Sequence, residues 1–183
     1  MGVRKLHVNH VPLIDIESLA KPVPYVGNLF AHPFVDVIEA TLYALGFEDP
    51  ALCRHMSHDR IVWSASFDNS IICRFQLFLN GFREVVVSLT CTIGQAVEDP
   101  VKREKLYGIL LLKNRTSEAP WGFSLDMATF VMVNFECNAQ WMTPDHLAFR
   151  TYSIPAHGAE FHALFLCAGL IQLLPASYFQ IYA

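Results

Sequence analysis

Charge is scarce in this chain. Of 183 residues only 16% are Asp, Glu, Lys or Arg, against 53% hydrophobic, whereas soluble domains carry about a quarter charged residues. Such a balance implies a large core, or apolar surface reserved for a partner. Basic clusters are missing too. The 13 Lys and Arg residues are scattered, the net charge is −4, and the one local group (Lys102, Arg103, Lys105) is offset by Glu98, Asp99 and Glu104. That excludes nucleic acid as the main partner, because phosphate binding needs clustered cations. A long apolar run is also lacking. The most apolar stretch, FHALFLCAGLIQLLP from Phe161 to Pro175, offers 12 residues between Ala163 and Leu174. As helix these span roughly 18 Å, while a bilayer core of ~30 Å needs about 20 residues. No membrane insertion is expected. The N-terminus, MGVRKLHVNHVPLIDIES, has no sustained apolar region and is not expected to be a signal peptide. Leu6 stands where a myristoylation motif needs Ser or Thr.

Catalytic signatures are absent as well. There is no G-x-S-x-G elbow, P-loop, G-x-G-x-x-G or EF-hand loop. The five cysteines are an odd number with no C-x-x-C spacing, and they read as reduced thiols in a cytoplasmic protein. Cys53, His55, His58 and Asp59 could ligate a metal, but zinc needs a second ligand pair, and His7 and His10 are its one further source. The stretch therefore reads as a polar connection, with no metal and no cofactor. Cys167 beside His157 or His162 would make a nucleophile–base pair, yet it lies in the most apolar helix, where a thiol is expected to be buried and inert. Glu136 and Asp126 are expected to face solvent or a turn. Together these absences predict that the chain is not an enzyme.

What the sequence does contain is a clear change of period. Residues 1–32 read as an arm, broken by Pro12, Pro22, Pro24 and Gly27; residues 33–183 read as one domain. A helix opens at Pro33, with an apolar stripe of Phe34, Val37, Ile38, Leu42 and Leu45, and closes at Gly46. DPALCRHMSHD is expected to continue as a short second helix. Ile61, Trp63, Ala65 and Phe67 then alternate with Val62, Ser64 and Ser66. Ile71, Cys73, Phe75, Leu77 and Leu79 face opposite Arg74 and Gln76. After a turn at Asn80-Gly81, Val85, Val87, Leu89, Cys91 and Ile93 face opposite Glu84, Ser88 and Thr90. Three such segments make an antiparallel meander with one wet face. Asp99 and Pro100 start another helix. WGFSLDM, TFVMVNFECN and HLAFRTYSI read as strands. Pro155 and Gly158 mark the entry to a last helix so apolar that both its sides must be covered. The fold class is α+β: an antiparallel sheet with helices on one face, in the order α-β-β-β-α-β-β(-β)-α, plus the N-terminal arm.

That element order, with LLLKN (Leu110–Asn114), GFSLD (Gly122–Asp126) and LAFRTYSIP leading into a helix that ends SYF, resembles the YbjN family and the wider type III secretion chaperone-like fold over roughly residues 33–180. The resemblance implies a small cytosolic protein, often a homodimer, whose chaperone relatives hold an extended client segment on apolar surface.

Among the aromatic residues of the later strands, Trp121, Phe123, Trp141 and Phe149 are the expected partner-binding residues, since Trp and Phe anchor interfaces; core packing is their alternative role. Leu13, Ile14 and Ile16 in the arm are expected to dock on apolar surface of the domain or of a second subunit. The function expected is a non-enzymatic adaptor or chaperone-like module that binds a protein segment. The alternative is an immunity protein that neutralises a toxin by direct binding. An apolar groove would favour the first and an acidic patch the second.

Overall fold

The computed structural model describes residues 24–67, 70–116 and 121–180. Its first helix, α1 (Pro33–Ala44), has the expected proline in the first turn and buries Phe34, Val35, Ile38 and Leu42. The meander follows, preceded by a strand that the sequence reading missed. Only Pro50–Cys53 forms a single 3-10 turn; the expected second helix stops there. Arg54–Ser57 is instead β1, a four-residue strand hairpinned onto β2 (Arg60–Phe67) with Met56 opposite Ile61. Four residues are too few to display a period, which is why the segment read as helix.

β3 (Ile71–Leu79) and β4 (Val85–Ala96) complete the meander. After α2 (Pro100–Thr116) come β5 (Gly122–Leu125) and β6 (Phe130–Asn138). The sheet order is β1-β2-β3-β4-β6-β5, with antiparallel pairing throughout. Every second residue of the central strands points into one core: Ile61, Trp63, Cys73, Phe75, Leu77, Val87, Leu89, Cys91, Val131 and Val133 are buried together with the inner faces of the helices. Asp99 caps α2 as expected, accepting from the backbone of Val101 and Lys102 at 2.9 and 3.1 Å. Near its other end, the Asn114 side chain pairs with the backbone of edge strand β5. Its Nδ2 donates to the Phe123 carbonyl at 2.9 Å, and the Phe123 N–H donates back to Oδ1 at 2.6 Å.

The largest correction concerns HLAFRTYSI. It is not a strand but the first half of α3, a 24-residue helix from Pro144 to Cys167. Thr143 caps it by accepting from the His146 N–H at 3.2 Å. Its buried positions include Leu147, Thr151, Ile154, Gly158, Phe161 and Phe165, a spacing that matches the helical period. Two of these six are small residues, so an apolar count does not reveal the stripe. Pro155 lies inside the helix. It leaves the Thr151 carbonyl without its helical donor, at a cost of about 3 kcal/mol or more in an isolated helix that tertiary packing must offset.

The opening apolar stretch is also broken. α3 ends in a Schellman motif with Gly169 in the left-handed region (φ 63°): Leu170 N–H donates to the Phe165 carbonyl and Gly169 N–H to Leu166. The chain then turns into β7 (Ile171–Gln172), which pairs with Gln95 and Ala96 of β4 beyond the end of β3. A final short helix, α4 (Ala176–Gln180), follows. Leu174, Tyr178 and Phe179 there pack with Ile72 and Phe130 as a small second core.

α3 lies against β4 at Gly158, where a Cβ would collide with Cys91 Sγ and sit 3.2 Å from Cys91 Cβ. One turn on, the buried His162 donates from Nδ1 to the Ile93 carbonyl at 2.6 Å. The β4–β6 register shifts between Thr92 and Gly94, so Ile93 sits in the bulge. Gly158→Ala should lower stability by about 1–3 kcal/mol through overpacking, measured by urea unfolding. The double variant Cys91→Ala/Gly158→Ala should recover part of that loss. Strictly additive losses would show that the helix approaches the sheet elsewhere.

Candidate partner-binding groove

α1 has two faces. Flanking the buried inner stripe are Val37, half-buried against the core rather than fully inside it, and Ala40, Thr41 and Ala44, together the i, i+3, i+4, i+7 set of a helix face. Facing them across an open groove are Pro144, Asp145, Ala148, Phe149 and Tyr152 of the first turns of α3; the groove measures ≈ 550 Å³. Its α1 wall is dry. The one hydroxyl there, Thr41 Oγ1, donates to the Val37 carbonyl at 2.8 Å, which leaves small apolar surface. The α3 rim is aromatic: Phe149 is 60% exposed and Tyr152 59%. Arg150 stacks its guanidinium 5.4 Å from the Phe149 ring and 5.5 Å from Phe135, which steadies the rim from below.

The four aromatic residues expected to bind a partner do not form one surface. Phe149 is on the groove. Trp141 is exposed on a separate 3-10 turn, beside a smaller pocket of ≈ 300 Å³ with Asn80, Glu84 and Glu136. Phe123 is buried, edge-on to Phe161 at 4.8 Å. Trp121 is half-buried against Phe123, Phe161 and His157. Leu13, Ile14 and Ile16 lie outside the described residues. Sequence reasoning missed Ala40, Ala44 and Tyr152. The first two are signalled only by their spacing on a helix already explained by its inner stripe, and Tyr152 sat in the segment read as a strand.

The candidate catalytic groupings do not assemble among the described residues. Among the described residues no three His, Cys, Asp or Glu side chains converge as metal ligands; His7 and His10 lie outside them. Cys167 is exposed rather than buried, because α3 turns its other side to the sheet. His162 is committed to the Ile93 carbonyl. Asp126 Oδ1 accepts from Ala128 and Phe130 N–H groups at 2.9 Å each and builds the β5–β6 turn. Burial raises the Cys53 and Cys137 thiols. It raises the Cys73 thiol further, where Cys91 stands opposite on the neighbouring strand. A raised thiol is a poor nucleophile.

No protein-family model and no curated protein matches the chain. Among solved structures it is similar to a chain of the ExsC–ExsE complex, at 14% identity and TM-score 0.49 over 70% of this chain and 90% of that one. It is similar to a chain of the HopA1–SchA chaperone–effector complex at 15% identity and TM-score 0.49, over 78% and 99%. A third likeness is to the Yersinia pestis type III secretion chaperone SycH in complex with a fragment of YscM2, at 15% identity and TM-score 0.46, over 69% and 98%. At these identities and scores the likenesses assign neither partner nor activity to this chain.

The groove wall depends on how α1 begins. His32 is its N-cap, with Nδ1 accepting from the Phe34 N–H at 3.2 Å, between the rings of Tyr25 and Phe34 at 5.4 and 4.9 Å. Burial lowers the His32 pKa from 6.5. The cap needs a neutral ring, and the unfolded chain takes up the proton more readily. This contribution to stability is therefore complete above pH 6.5 and is lost as pH falls through the lowered folded value. His32→Asn keeps an N-cap without titrating. Between about pH 8 and 5 the parent should lose more stability than His32→Asn in urea unfolding. Parallel pH profiles would show that the cap does not titrate.

Proposed function

We propose that this chain is a non-enzymatic, chaperone-like module that holds an apolar segment of a partner protein in the α1–α3 groove. The observation that carries this reading is the groove itself: Phe149 and Tyr152, both more than half exposed, standing over a wall of Val37, Ala40 and Ala44. Aromatic rings fixed beside small side chains form the pockets that anchor interfaces. Apolar surface left open at such a place marks a binding site. Trp141 is a second exposed anchor, and Trp121 and Phe123 act as packing behind α3. Leu13, Ile14 and Ile16 belong to the proposal as the chain's own apolar segment.

The reading extends to a cytoplasmic protein of YbjN-like ancestry and to a homodimer, the dimer being supported by exposed Leu111 and Leu112 on α2. Static light scattering should give twice the 20.7 kDa of one chain. A single-chain mass at micromolar concentration would reject the dimer and leave the groove untouched.

The groove is tested on an array of short peptides of varied sequence. The full chain should be retained on aliphatic and aromatic spots, and Phe149→Ala/Tyr152→Ala should lose most of that retention. Both rings are more than half exposed, so the double variant should melt close to the parent. Unchanged retention by a folded double variant would remove the groove as the binding site.

A further inference from the structure

The chain has a segment of its own suited to this groove. The described part begins at the foot of α1: Tyr25 N–H donates to the Arg83 carbonyl at 2.7 Å, Leu29 is buried, and His32 then caps the helix. Residues 1–23 are therefore tethered to the element that forms one groove wall. The seven residues 17–23 reach about 23–25 Å when extended. α1 has 12 residues and is roughly 18 Å long, so residues 11–16 can reach any point along it. Their sequence, Val-Pro-Leu-Ile-Asp-Ile, is apolar but for Asp15. In an extended segment alternate residues face opposite ways. Ile14 and Ile16 can then face the wall of Ala40 and Ala44 while Asp15 turns to solvent.

The size of the groove argues against a second copy as its occupant. Stable protein–protein interfaces engage ≈ 20–30 residues a side; nine residues line this groove. That suits a short extended segment.

We propose that residues 11–16 are the resident occupant of the α1–α3 groove, so that a partner segment binds by displacing the chain's own N-terminal segment. This rests on the groove being the partner site, and it adds the competitor that sets the apparent affinity. If the segment fills the groove in nine chains of ten, a competing peptide binds about tenfold more weakly than to the open site.

The test uses the full chain and a fluorescent synthetic peptide of residues 8–19. Ile14→Asp/Ile16→Asp should bind this peptide about tenfold more tightly than the parent. Hydrogen exchange across residues 144–152 should speed up in the same variant. Adding Ala44→Arg, a change at an exposed position, should abolish the binding; Ala40→Arg, also exposed, serves equally if the first variant folds poorly. Equal peptide binding by parent and Ile14→Asp/Ile16→Asp would overturn the inference, as would binding by neither or binding indifferent to Ala44→Arg. A fall from dimer to monomer mass in Ala44→Arg alone would show a second copy as the occupant and overturn it too. The array keeps the two ideas apart. Retention lost in Phe149→Ala/Tyr152→Ala but equal in parent and Ile14→Asp/Ile16→Asp would leave the groove as partner site and remove the resident segment.

Discussion

α3 lies this close to the sheet because position 158 has no side chain. The absent Cβ lets the helix come down onto Cys91 of β4, and the bulge at Ile93 offers a carbonyl to His162 one turn further. These two contacts fix the height and rotation of a helix roughly 36 Å long. Once the inner stripe from Leu147 to Phe165 is committed to the core, Phe149 and Tyr152 are carried to the outside. The groove with α1 is a geometric result of that seating. A change that lifts α3 at Gly158 would be felt at the groove, past Pro155, without touching a groove residue.

The wall opposite is held by a different kind of interaction. Glu39 on α1 accepts from Arg54 Nη1 at 2.7 Å and from the indole N–H of the fully buried Trp63 at 3.1 Å. One carboxylate oxygen thus ties α1 to β1 and β2. The Arg54–Glu39 pair is about a quarter exposed on each side, so its net contribution is modest. Removing Glu39 would instead strand the indole donor in the core, which is the more expensive loss. Glu84 plays a similar part at the β3–β4 hairpin, accepting from Asn80 at 2.7 Å and Asn138 at 3.2 Å. Polar side chains in this fold therefore work as ties between elements.

The meander was legible because β2, β3 and β4 are long and each contains a stretch that alternates; Trp63, Phe75 and Leu89 lie where their parity puts them. Asp99 and Pro100 marked α2 through chemistry that acts within one turn. α3 was misread because its contact positions at Thr151 and Gly158 are small and Pro155 looks like a boundary. The fit of helix to sheet is a property of two elements distant in sequence. β1 was missed for brevity. The groove was the least legible feature. Three of its nine residues, Ala148, Phe149 and Tyr152, lie in the misread segment, and four more are on a flank of α1, where Ala40 and Ala44 matter through what stands opposite them. Cys167 was placed inside for the same reason: apolar neighbours say that a helix is buried, not which side of it.

The Asn114 clamp on β5 gives the sheet a direction. Phe123 directs its outward N–H and C=O to a side chain of the same molecule, so at that residue the rim offers no template to a foreign strand. Main-chain pairing with another polypeptide is thereby hindered at the middle of β5. At the opposite rim, no described strand lies beyond β1. A row of molecules joined rim to rim, the usual hazard of an open sheet, would have to dislodge Asn114 from Phe123 to grow along β5.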